Sequence, residues 1–164
     1  MPVRKQLATN KRPNVAEWIN YCCDGALREQ ALEFVEWVRG MGFKWKIHST
    51  SNTGHNVFYN KVYMCKTLLY NDVEKDGNPI IWTIQPNLLN KNKYENEIVN
   101  ENLYDLPRMR NYCRNIKLPE LIKINNDCGC GICLIHPTVK NPNEEELNRI
   151  KRLLMLEKMS RQGV

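Results

Sequence analysis

Asn56-Val57-Phe58-Tyr59-Asn60-Lys61-Val62-Tyr63-Met64-Cys65-Lys66-Thr67-Leu68-Leu69-Tyr70 is the stretch that decides the fold. It is rich in β-branched and aromatic residues and is interrupted only at Asn60-Lys61, so it predicts two strands, 56–59 and 62–70, joined by a tight turn. So short a turn forces antiparallel pairing, because parallel neighbours need a long crossover. Upstream, Phe43, Trp45 and Ile47 alternate with Lys44, Lys46 and His48, the period of a strand with one apolar and one wet face. Ser49 to Gly54 is loop chemistry between them. Downstream, Asp76-Gly77-Asn78-Pro79 marks a second turn, and Ile80-Ile81-Trp82-Thr83-Ile84-Gln85 is a fourth strand halted by Pro86.

Helical periodicity flanks these strands. Asn14 stands three residues before Glu17, the spacing of a capping box, and predicts a short helix over about 15–22. From Asp24, the residues Leu27, Ala31, Phe34, Val35 and Val38 recur at three- and four-residue steps, until Gly40 and Gly42 stop the helix. Near the C-terminus, Asn141, Pro142 at the first helical position and Glu144 open a helix with an apolar face of Leu147, Ile150, Leu153, Leu154 and Met155. Between 87 and 125 two short helices, 95–106 and 108–115, fit the breaks at Pro107 and Pro119. This order gives an α+β fold: a single antiparallel four-stranded sheet with helices packed on one face.

At 164 residues, with 42% apolar and 26% charged residues, the chain has the composition of one globular domain. Residues 1–13 read as a flexible basic arm, 14–160 as the domain and 161–164 as a tail. No window approaches the roughly 18 apolar residues a membrane span needs, and the basic N-terminus has no apolar core behind it. Seven cysteines, an odd number, fit free thiols in a reducing cytoplasm better than a disulfide framework. The net charge of +6 is local: Arg4, Lys5, Lys11 and Arg12 lead the chain, and Arg108, Arg110, Arg114 and Lys117 form a second run. Such runs are usually solvated surface, and otherwise a phosphate-binding surface for nucleic acid.

Cys128, Cys130, Cys133 and His136 place three thiols and an imidazole within nine residues, the ligand types of a zinc site. All four come from one short stretch rather than two separated pairs, so small buried cysteines against a core remain the alternative. Cys130 and Cys133 have the spacing of a redox pair, but Leu134 to Pro137 predicts no helix after them to lower a thiolate pKa. No glycine-rich phosphate loop and no carboxylate pair in an apolar setting is present. Trp45, Tyr59, Tyr63 and Trp82 lie on the expected strands. With His48 they either line a ligand surface (Trp45, His48, Tyr59 and Trp82 being the candidate contacts) or fill the core.

Phe34-Val35-Glu36-Trp37-Val38-Arg39, Trp45, the strand Trp82 to Pro86, the Cys128 to Cys133 cluster and the closing Asn141-Pro142-Asn143-Glu144-Glu145-Glu146-Leu147 also carry a resemblance. Together, over about 31–160, they resemble a group of small uncharacterised proteins of low-GC Gram-positive bacteria. The resemblance implies a single α+β domain and carries over no activity and no site residue. The sequence therefore leads to the expectation of a small cytoplasmic binding protein without catalytic machinery or cofactor, offering its sheet face and basic segments to a ligand or protein partner. A nucleic-acid-associated factor and a zinc-stapled interaction module are the alternatives.

Overall fold

The computed structural model describes residues 14–48, 54–73, 79–103 and 138–163. The described residues open with two helices, α1 (Val15–Cys22) and α2 (Gly25–Gly40). The expected capping box opens α1: Glu17 N–H donates to Asn14 Oδ1 at 3.0 Å and Asn14 N–H donates to Glu17 Oε2 at 2.8 Å. Past the end of α2, Gly42 adopts φ +78°, a conformation that side chains with a Cβ rarely take, and turns the chain into the sheet.

The sheet is a meander of β1 (Lys44–Ile47), β2 (Gly54–Tyr59), β3 (Val62–Val73) and β4 (Pro79–Pro86), each antiparallel to the next. At the β2–β3 tip Asn60 and Lys61 take φ +47° and +68°, the two left-handed residues that let a two-residue turn follow strand twist. A single 3₁₀ turn (Lys91–Tyr94), α3 (Glu95–Asn100), β5 (Val139–Lys140) and α4 (Glu144–Arg161) complete the described elements.

The sheet has five strands rather than the four expected, in the order β1-β2-β3-β4-β5. β5 is two residues long, too short to leave an alternation in the sequence, and forms only because Thr83 and Ile84 of β4 pair with Lys140 and Val139. The opening of α4 is also corrected. Its N-cap is Asn143, in a capping box with Glu146, and not the Asn141–Glu144 pair. Asn141 sits instead at φ +44° and ties the chain to β4. Its Oδ1 accepts the Ile81 and Trp82 amides at 2.9 and 3.0 Å, and its own N–H donates to the Trp82 carbonyl at 2.6 Å. The helix expected over 95–106 stops at Asn100.

One core joins the helices to one face of the sheet. Phe34 of α2 lies at its centre, with ring centroids 6.4 Å from Trp45, 5.8 Å from Trp82 and 5.9 Å from Trp37. Around it Ile19, Val35, Val38, Val57, Met64, Cys65, Leu69, Ile84, Ile150 and Leu154 are fully or almost fully buried. A bulge where β2 changes register between Val57 and Phe58 turns both Met64 and Cys65 inward, which fills the centre of the sheet.

A buried carboxylate fastens α4 to the segment that follows β4. Glu157, with 0% exposure, accepts the Tyr94 hydroxyl at 2.5 Å and the Asn90 amide at 3.0 Å, and pairs with Arg161 one turn on. These donors replace the water the carboxylate gives up, so removing one exposes the chain to the full desolvation cost. Three substitutions should therefore destabilise in a fixed order. Phe34→Ala, which opens a cavity beneath two tryptophans, should cost about 3–5 kcal/mol. Tyr94→Phe should cost about 1.5–3 kcal/mol, the range for a hydrogen bond to a charged group, and Asn143→Ala about 1 kcal/mol, the range for a lost cap. Urea unfolding midpoints check the order; Asn143→Ala matching Phe34→Ala would show that α2 is not at the centre of the core.

Candidate functional site

Strand alternation that buries one row of side chains turns the next row outward. Register then fixes which residues share the outer face. Lys46 of β1, Asn56 of β2, Lys66 of β3 and Gln85 of β4 stand side by side across four strands. The adjacent row runs Lys44, Phe58, Tyr63. Beyond β4, Lys140 of β5 lies opposite Thr83. Lys44, Lys46 and Lys140 are exposed, while Asn56, Phe58, Tyr63, Lys66 and Gln85 are half-buried. At the β4 end of this face Thr83 is buried.

The two rings touch each other, with centroids 6.0 Å apart and planes inclined at 58°. The Lys46 ammonium lies 4.9 Å from the centre of the Phe58 ring, a cation–π contact of about 0.5–1 kcal/mol in an exposed setting. Burial raises the Tyr63 phenol above its ordinary pKa, so it stays a neutral hydroxyl through the physiological range.

Among the described residues the two sides of the molecule carry their charge differently. The described rows of the outer face hold four lysines and no carboxylate. The helices hold acids that are paired on the helical side: Glu33 with Lys151 at 2.8 Å, Glu101 with Arg152 at 2.5 Å and Glu145 with Arg149 at 2.7 Å. Glu101 and Arg152 lock each other in the charged state, the carboxyl pKa lowered and the guanidinium raised by their hydrogen bond. Lys44, Lys46 and Lys66 therefore place positive charge on the sheet face, where it raises the local concentration of anions.

The aromatic residues singled out from sequence fall mostly elsewhere. Trp82 is 1% exposed and Trp45 packs on Phe34 beside it, so both belong to the core between sheet and α2. Tyr59 packs on Phe43 with centroids 5.8 Å apart and carries the Lys158 ammonium 4.8 Å over its ring. His48 follows β1, where its amide donates to the Gly54 carbonyl at 2.8 Å. These four residues do not converge on one cleft; Trp45 and Trp82 meet through Phe34, and Tyr59 lies at the α4 corner. Arg108, Arg110, Arg114 and Lys117, the cluster Cys128, Cys130, Cys133 and His136, and the arm 1–13 lie outside the described residues.

The outer-face group of Lys44, Lys46, Phe58 and Lys66 carries a signal in sequence, since the two lysines already alternate with Trp45. What hides Tyr63 is the bulge, which shifts the inward phase of β3 by one residue at Met64, while Phe58 keeps the plain alternation of β2.

Other reactive groups are engaged in the fold. Cys65 is fully buried on the inner face, and burial raises its thiol pKa. Cys23 is pushed up to about 12, by burial first and then by Cys22 and Asp24. His55 is 1% exposed, and its carbonyl accepts the Thr67 hydroxyl at 3.2 Å. Among the described residues no group of three or more His, Cys, Asp or Glu side chains is placed to hold a metal ion, and no helix is long and apolar enough to cross a membrane. No protein-family model, curated protein or solved structure matches the chain.

The Cys23 shift has a pH consequence. In the unfolded chain a thiol ionises near ~8.5, whereas the folded chain keeps the Cys23 proton to about 12. The stabilisation is therefore intact below about pH 8.5 and is lost progressively as pH rises above it. The gap in urea midpoint between the native chain and Cys23→Ala should narrow from pH 7 to pH 10; an unchanged gap would show that Cys23 ionises as freely folded as unfolded.

Proposed function

We propose that this protein is a non-catalytic binding protein that presents the outer face of its sheet to a polyanionic partner. The observation that carries this reading is the one-sided sheet itself. The described helices shield one face, and the other offers Lys44, Lys46 and Lys66 around Phe58 and Tyr63, with no acid in these rows among the described residues. Such an arrangement attracts anions from a distance and then holds them against a surface fixed by the strand ladder.

Two features support binding over catalysis. The buried thiols Cys23 and Cys65 are held in their protonated, unreactive form. Among the described residues the most deeply buried carboxylate, Glu157, is saturated by Tyr94, Asn90 and Arg161 and serves to fix α4.

Chromatography on heparin tests the reading with charge-matched variants. Lys44→Glu with Lys46→Glu and Arg28→Glu with Arg39→Glu change the net charge equally, the first pair on the sheet face and the second on exposed positions of α2. The sheet-face pair should elute at much lower salt than the native chain, and the α2 pair close to it. Equal losses would show that only net charge matters and would reject the face as the binding surface.

A further inference from the structure

The geometry points to single-stranded nucleic acid as the partner of this face, an inference that rests on the polyanion reading above and narrows it. The strand would cross the sheet from β1 toward β4, with phosphates along Lys46 and Lys66 and bases over Phe58 and Tyr63.

The juxtaposition of the two rows favours this partner. Lys46, Asn56, Lys66 and Gln85 form one line across the strands, and Lys44, Phe58 and Tyr63 form the next line two residues along. Two residues of strand span about 6.6 Å, and alternate strands lie about 9.5 Å apart. A line of cations therefore runs beside a line of rings, at the offset that separates a sugar-phosphate backbone from its bases.

The rings are spaced for unstacked bases. Their centroids are 6.0 Å apart, well beyond the ~3.4 Å per nucleotide of a helical strand. They suit successive bases of a strand that is splayed out, as on other sheet surfaces that read single strands. A duplex keeps its base faces stacked inside and offers these rings nothing. Heparin or inorganic polyphosphate matches the lysines but leaves Phe58 and Tyr63 without a role.

In the free protein the Lys46 ammonium covers the Phe58 ring at 4.9 Å. That weak contact is displaced when a base takes the ring, and the long lysine side chain then swings to the neighbouring phosphate. Gln85, half-buried at the end of the cation row, supplies amide groups that suit any base edge. With rings and flexible amides as its base contacts, the face should bind with little sequence preference.

Fluorescence anisotropy with a labelled 12-nucleotide mixed-sequence DNA strand, the same strand as RNA, the same length of abasic strand and the corresponding duplex tests this. The native chain should bind either base-bearing strand at least about tenfold more tightly than the abasic strand or the duplex. Phe58→Leu with Tyr63→Leu should remove that advantage and leave abasic-strand binding unchanged, whereas Tyr63→Phe, which keeps the ring, should retain it. Lys46→Ala with Lys66→Ala, which removes both phosphate contacts, should weaken every strand and lower the slope of log affinity on log salt by about 1.4. Equal binding of base-bearing and abasic strands, retained by the leucine variant, would overturn the nucleic-acid assignment while leaving a polyanion face in place. Loss of heparin retention by the α2 variant as well would instead remove the reading on which it rests.

Discussion

A sheet has two faces, and the described helices of this chain cover one. Phe34 marks which, because its ring packs against Trp45 and Trp82, and both project from the same side of the strands. Once those three rings meet, alternation assigns every neighbouring residue to a side. Lysines at 44, 46 and 66 are then placed outward by the same steps that place Trp45, Val57 and Cys65 inward. The basic face is thus a consequence of how the core is packed.

Several contacts distant in sequence support that core. Asn141 joins the approach to α4 directly to the backbone of β4. The Asn143–Glu146 capping box starts the helix, and Glu157 closes its far end onto Tyr94 and Asn90. Along the same helix Lys158 reaches the Met41 carbonyl at 2.7 Å and lies over Phe43 and Tyr59. α4 is therefore held to the turn after α2 as well as to the sheet. A surface built on strands secured in this way presents side chains at fixed spacing, which loops do less well.

What could be read from the sequence were the features set by local chemistry. The meander through β4, α1 with its capping box, the apolar stripe of α2 and the body of α4 each follow from periodicity, caps and turn residues. The features missed are set by partners distant in sequence. β5 exists through pairing with β4, and the segment around Tyr94 is fixed by a carboxylate 63 residues further on. Asn141 resembled a helix cap until its partners, the amides of Ile81 and Trp82, were in view. The face itself was half legible: the lysine alternation in β1 is plain, whereas the bulge that carries Tyr63 outward requires the β2–β3 register. Large aromatic rings on strands left ligand surface and core both open for Trp45 and Trp82, and their area is what the core needs most.

Lysine acetylation, mapped by mass spectrometry with and without a saturating DNA single strand, tests most directly whether the outer face is open and is where the partner sits. Lys44, Lys46 and Lys66 should react readily in the free protein and become protected on binding, while Lys93, exposed beside the helical layer, reacts equally in both. Sheet-face lysines already protected in the free protein, or protection that falls on Lys93 instead, would contradict the assignment.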